Sequence, residues 1–299
     1  MRTLVLKIGS TVLTSDEEEG INEAVVRDLA RQVSRLLSSR RRVIIVSSGA
    51  ISAGLKLMGI SLKGKDMPLK QAAAAVGQSH LVRTYERFFQ KKGYRVGQIL
   101  LTHEDVGDRR RFLNACHTLD ALLARGIVPI VNENDTVAVE EIRFGDNDTL
   151  AAQMASMVGA DLLLILSDVG GFYTADPSKN ADAGLIPLVE RVTTELEGMA
   201  GVSGSRLGTG GMVTKLRAAK MLGELGIPTL LVRGRDKDVV LRALSGEEVG
   251  TLFLAKAKRL PHRKHWIAYS LKPRGWLRLD EGARAALCSG GKSLLPSGV

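Results

Sequence analysis

The sequence predicts an α/β protein whose parallel sheet is covered by helices on both faces, and three observations carry that expectation. Short apolar runs of strand length alternate with segments whose apolar residues recur every three or four positions, from Leu4 to Leu254. Such alternation favours parallel strands joined by right-handed helical crossovers. The run from Leu162 to Leu166 is apolar throughout, as a central strand buried on both faces must be. Small and polar residues follow several runs immediately, where the carboxyl ends of parallel strands form the usual ligand edge.

Taken in order, Leu4 to Leu6 lie in a short apolar strand that runs into KIGST, where Lys7 stands beside Gly9, Ser10 and Thr11. A lysine there suits a phosphate contact as well as plain solvation. Asn22 can cap a helix whose Val25, Val26, Leu29, Val33, Leu36 and Leu37 share one face. The strand from Val43 to Val46 opens into SSGAISAG, Ser47 to Gly54, whose small residues fit close ligand approach or tight helix–strand packing. Pro68 belongs in the first turn of a long helix through Ala72 to Ala75, ending near Gly93, a scaffold or subunit interface. Next come a strand from Val96 to Leu101, a helix around Phe112 to Leu123 closed by Gly126, and a strand from Ile127 to Val131.

The densest polar constellation follows: Asn132, Glu133, Asn134 and Asp135, then Gly145, Asp146, Asn147 and Asp148. Each cluster alone could be a turn, and Asp146 or Asp148 could cap the helix containing Leu150, Met154 and Val158. Together they suit an amino acid, since amides can donate to a carboxylate and an aspartate can accept from an ammonium group or orient lysines. Beyond Leu166, SDVGGFYTADP places Ser167, Asp168 and Gly170 at a strand end, and Tyr173 to Pro177 has the look of a turn lining a nucleotide pocket. A helix near Thr194 to Ala200 leads to GTGGMVTK, Gly208 to Lys215, and then to a helical run from Leu216 to Gly226. Bare glycine N–H groups beside a helix start, with a mobile lysine, make a phosphate cradle that matches neither the Walker pattern nor GxGxxG. A strand from Thr229 to Val232, a short helix near Val239 and a strand from Thr251 to Leu254 complete a domain spanning 1–257.

Composition narrows the function classes. A chain of 299 residues with 44% hydrophobic content can bury one large core, so disorder is not expected. A formal net charge of +10 suits anionic ligands, but the cations are scattered among 32 acids rather than gathered into a nucleic-acid stripe. Two separated cysteines and no HExxH give neither a disulfide framework nor a zinc site. Neither a signal peptide nor an apolar run of membrane-spanning length is read, so the expected compartment is the cytoplasm, with no membrane partner.

Nine motifs in series, LVLKIGS, VSSGAI, AAVGQS, LLT, RFLNA, VPIVNEND, GDNDTL, YTADP and GTGGMVTK, are together far more specific than one glycine loop. In them the chain resembles the glutamate 5-kinases of the amino acid kinase family. The resemblance implies a three-layer αβα sandwich with a largely parallel sheet of about eight strands. It implies phosphorylation of the L-glutamate side-chain carboxylate by ATP with Mg2+, the first step of proline biosynthesis, with proline as feedback inhibitor and a homo-oligomeric assembly. Carried over by motif, Ser48, Asp135 and Asn147 would bind glutamate. Lys7, Ser167, Asp168 and the stretch Thr209, Gly210, Gly211, Met212, Val213, Thr214 and Lys215 would contact ATP. Lys7 and Lys215 would flank the transferring phosphoryl group, and Asp148 would hold both lysines; no metal-ligating side chain is assigned. Acetylglutamate, aspartate and uridylate kinases are the alternatives within the family.

Near Ala257 the composition shifts to KAKRLPHRKHW, read as a linker, and residues 258–299 resemble the start of a PUA domain, a small β-rich module also found in RNA-modifying enzymes. The match stops about half way through that module, which sets RNA binding apart as a separate alternative, recognisable by steeply salt-dependent retention of RNA. A piece this short rarely forms its own core, so Trp266, Trp276 and Leu277 are expected to pack on the main domain or a neighbouring subunit.

Overall fold

The structure is a computed structural model and describes residues 1–14, 20–61, 66–137, 147–202, 211–256, 275 and 277–288. It opens with β1 (Thr3–Ile8), the single-turn α1 (Ser10–Leu13), α2 (Glu23–Ser38) and β2 (Arg42–Ser47). Asn22 caps α2 as its position predicts, its side chain accepting from the Val25 N–H. Two helices follow, α3 (Ala50–Leu57) and the long α4 (Met67–Gln90), with proline in the first turn of α4. Then come β3 (Val96–Leu101), α5 (His103–Gly107), α6 (Arg109–Ala124), β4 (Val128–Glu133), α7 (Asn147–Met157) and β5 (Leu162–Ser167).

The second half is more broken, with three two-residue strands, β6 (Phe172–Tyr173), β7 (Leu185–Ile186) and β8 (Leu188–Val189). It continues through α8 (Thr194–Val202), α9 (Met212–Glu224), β9 (Thr229–Arg233), α10 (Val239–Leu244) and β10 (Thr251–Phe253), with α11 (Glu281–Cys288) in the tail.

Eight strands form one sheet in the order β3-β4-β2-β1-β5-β9-β10-β8. From β3 to β9 every neighbouring pair is parallel, which realises the expected architecture. The sheet is largely rather than wholly parallel, as expected: β10 runs antiparallel to β9, and β8 follows the reversed direction of β10. Residues 234–250, with α10 among them, return the chain to the edge it left, so β10 enters the sheet in the direction opposite to β9.

Strand alternation divides the core into two layers, one on each side of the sheet. Val5, Val46 and Ile165 face the side covered by α6, α7 and α9. Leu4, Leu6, Ile45 and Leu164 face the side covered by α2, α3, α4 and α10. In the serine- and glycine-rich stretch after β2, packing is the outcome for Gly54: a Cβ there would lie 1.7 Å from the Ala73 carbonyl oxygen, and one on Gly77 1.8 Å from that of Ala50. These contacts clamp α3 directly against α4. Tyr173 also departs from the sequence reading, pairing with Leu185 in the β6–β7 hairpin; the turn begins only after it. In the tail, α11 buries none of its residues and Leu277 is 66% exposed, so the described part is not covered by the main domain, while Trp266 and Trp276 lie outside the described residues.

Candidate active site

The site grows from the carboxyl edge of the four adjacent strands β4, β2, β1 and β5. On β1, alternation sends Lys7 to the same face as Val5, into the layer of α7 and α9. Asp148 lies in the first turn of α7, where a carboxylate also suits the positive end of the helix dipole. Lys215 sits one turn into α9. These side chains meet: Lys7 Nζ lies 2.6 Å from Asp148 Oδ1, and Lys215 Nζ lies 3.2 Å from Asp148 Oδ2. Thr214 Oγ1 donates to the same Oδ2 at 2.7 Å, a contact the sequence gave no signal for.

All three charges are buried, Asp148 completely and the lysines to within 5% and 7% of full burial. Burial pushes the Asp148 carboxyl up, but the charges of Lys7 and Lys215 and the hydrogen bonds from Lys7 and Thr214 overcome it and hold the pKa at about 2. Burial also depresses the Lys215 pKa, assisted by the charge of Lys7 and opposed by Asp148 and Asp168. Two cations against one carboxylate leave an excess positive charge in a dry setting, which is what an anionic phosphoryl group requires.

On one flank, β2 and β4 bring a set of buried polar side chains together. Asn147 Nδ2 lies 2.9 Å from Ser48 Oγ, 3.0 Å from Asn132 Oδ1 and 3.3 Å from the Ser47 carbonyl oxygen. The amide orientation follows from chemistry, because Asn132 Oδ1 accepts from the Glu133 N–H and the Ser47 oxygen can only accept. Asn147 Oδ1 is thereby left buried without a hydrogen-bond partner among the described residues. Asp135 is buried just past β4, and Gln78 of α4 donates to the Glu133 carbonyl oxygen at 3.3 Å.

On the other flank, buried Ser167 ends β5 and donates to the exposed Asp168 at 3.0 Å. Gly211 is the N-cap of α9, and among the described residues no side chain caps the helix start that carries Met212 and Val213. Thr209 and Gly210, together with Gly145 and Asp146, lie outside the described residues.

The depressed Lys215 predicts a pH effect. As pH rises, Lys215 loses its proton earlier than a free lysine, so kcat/KM for ATP should fall on a limb below 10.5, the ordinary lysine value. Lys215→Arg should carry that limb upward, since guanidinium keeps its charge. A wild-type profile flat to pH 10.5 would contradict the assignment.

Comparison with known proteins identifies the family. The model of the amino acid kinase family matches residues 2–233. The glutamate 5-kinase of Geobacter sulfurreducens is 53% identical across 100% of this chain and 80% of the relative. That of Carboxydothermus hydrogenoformans is 52% identical over the same shares. Among solved structures, a carbamate kinase from Giardia lamblia bound to AMP-PNP superposes with a TM-score of 0.60 at 16% identity, covering 85% of this chain and 99% of that one. An isopentenyl phosphate kinase gives 0.57 at 21% identity, over 84% and 100%. The solved structures share the fold; the identity to the curated relatives goes further, and the chain belongs to the amino acid kinase family, among its glutamate 5-kinases.

Proposed function

We propose that the Lys7–Asp148–Lys215 bridge is the phosphoryl-transfer centre of an enzyme that moves the terminal phosphoryl group of ATP onto the side-chain carboxylate of L-glutamate. The observation that carries this reading is one fully buried carboxylate holding two lysines from opposite ends of the chain. The glutamate carboxylate is already ionised at neutral pH, so the reaction needs no general base. Catalysis is then positioning and charge stabilisation: Asp148 aims the two ammonium groups, and these neutralise charge on the phosphoryl oxygens as it transfers.

Ser167, Asp168 and the stretch Thr209 to Lys215 are assigned to ATP, and Ser48, Asp135 and Asn147 to glutamate. The unpartnered Asn147 Oδ1 suits the substrate ammonium group, with Asp135 as its charged counterpart. Among the described residues no three His, Cys, Asp or Glu side chains form a cation cage, and both Asp148 oxygens face ammonium groups. A magnesium ion would therefore take its oxygens mainly from the nucleotide phosphates and water, the hard ligands it prefers, and when bound it would neutralise phosphate charge. No helix among the described residues is long and apolar enough to cross a membrane. Cytoplasmic location, homo-oligomeric assembly and inhibition by proline are proposed on the strength of family membership; proline carries the same carboxylate and cationic amine as the backbone end of glutamate.

Incubation with MgATP, glutamate and hydroxylamine should trap the acyl phosphate product as its hydroxamate; ADP release without hydroxamate would point to another acceptor. Asp135→Ala should raise the glutamate KM on the order of 10- to 100-fold, the loss expected for a charged hydrogen bond, with the ATP KM nearly unchanged. Equal damage to both constants would move Asp135 to the nucleotide side.

A further inference from the structure

We propose that Tyr85 is a positioning residue for the acceptor amino acid, fixing the peptide of Ser48 through Ser47 from the opposite side of the sheet. The inference rests on the functional reading above. Tyr85 belongs to α4 and is fully buried beside Leu81, Phe88 and Phe89. A phenol hydroxyl in such surroundings is unfavourable unless it is partnered. Its partner is Ser47 Oγ, at 3.1 Å. Ser47, also fully buried, ends β2 in the same alternation as Val43 and Ile45, so its side chain faces the α4 layer. Asn147 and the lysines come from the other face.

Proton logic gives this contact a direction. Ser47 Oγ also lies 3.2 Å from the Ser48 carbonyl oxygen, which can only accept. The single serine proton goes there, and Tyr85 must donate to Ser47. The Ser48 N–H is meanwhile held by the Ile8 carbonyl oxygen at 3.2 Å. Both polar ends of the Ser48 backbone are thus fixed, and its Oγ is presented to Asn147 Nδ2 at 2.9 Å. Removing the tyrosine hydroxyl frees one end of that arrangement, so the Ser48–Asn147 pair loses its aim while the lysine bridge keeps its own contacts.

The rest of α4 supports the same role. Gln78, two turns before Tyr85, donates to the Glu133 carbonyl oxygen at the end of β4. One helix therefore holds the ends of both strands that carry acceptor-side residues. If Tyr85 were only a core side chain, its ring would suffice and phenylalanine would serve equally well.

The test measures KM for glutamate and ATP, and kcat, by hydroxamate formation in the full chain for Tyr85→Phe, Ser47→Ala and the double variant. Each single change should raise the glutamate KM about 3- to 10-fold, the worth of one neutral hydrogen bond. The ATP KM and the kcat at saturating glutamate should stay within about twofold, since the lysine bridge is untouched. The double variant should be no worse than the more affected single one, because both break the same link. An unchanged glutamate KM in Tyr85→Phe, or a parallel rise in both KM values, overturns the proposal. Ser47→Ala removes the link with a smaller change, so a normal glutamate KM there overturns it even if Tyr85→Phe fails to fold. A wild-type protein that forms no hydroxamate from glutamate removes the functional reading itself, whereas a working wild type with indifferent variants removes Tyr85 alone.

Discussion

Lys215→Ala is expected to lower kcat about 100- to 1,000-fold while leaving the glutamate KM within a few-fold, the usual effect of deleting one preorganised charge-stabilising donor. The split follows from where the lysine sits. It reaches the site from α9 and pairs with Asp148, whereas the Ser48–Asn147 network hangs from β2 and α7. Deleting it also leaves Asp148 with Lys7 as partner, so the carboxylate stays ionised and the fold should survive. Steady-state kinetics with circular dichroism decide the matter, and a folded Lys215→Ala enzyme with near-normal kcat would sink the mechanism.

Asp148→Asn should do broader damage. It removes the carboxylate that bridges two buried ammonium groups, and breaking a buried pair from one side typically costs about 3 to 5 kcal/mol. The lysines can escape that cost by releasing protons, which removes the charge that catalysis requires. Either way, a lowered melting temperature and a kcat loss of at least about 100-fold are expected together. The acid side of the wild-type stability curve should show the same group. With a folded pKa near 2 against an ordinary 3.8, Asp148 contributes stability that is present above pH 3.8 and lost as pH falls through 2. Asp148→Asn should flatten that part of the curve; an unchanged melting temperature with normal kcat would show that the bridge is ornamental.

Much of this was legible in the sequence because it is written locally. Runs such as Leu162 to Leu166, and the spacing of Val26, Leu29, Val33 and Leu36, place strands and helices without reference to distant residues. Strand direction is not local: Thr251–Phe253 has no feature that marks it as antiparallel, and its direction is set by pairing with β9. The two-residue strands β6, β7 and β8 are too short for any periodicity to show. At the site, Lys7, Asp148, Thr214 and Lys215 stood in motifs, but the Thr214–Asp148 contact and Tyr85 did not announce themselves. Tyr85 reads as one more large residue on an apolar helix face, and its partner Ser47 is 38 positions away. Likewise Gln32 receives the Val240 N–H at the start of α10, a cap supplied across 208 residues that no local pattern could reveal.

The strand order separates two jobs in the function proposed above. With β4 and β2 on one side of β1, and β5 and β9 on the other, the residues proposed for the acceptor and those proposed for the phosphates hang from separate flanks. Under that proposal, substitutions at the ends of β2 and β4 would change what is recognised without touching a contact of the lysine bridge. The flanks join at one peptide bond, since Asn147 answers to the serine side and Asp148 to the lysines. A redesigned acceptor side would thus have freedom around Ser48 and Asp135, while the Asn147–Asp148 step couples it to the phosphate side.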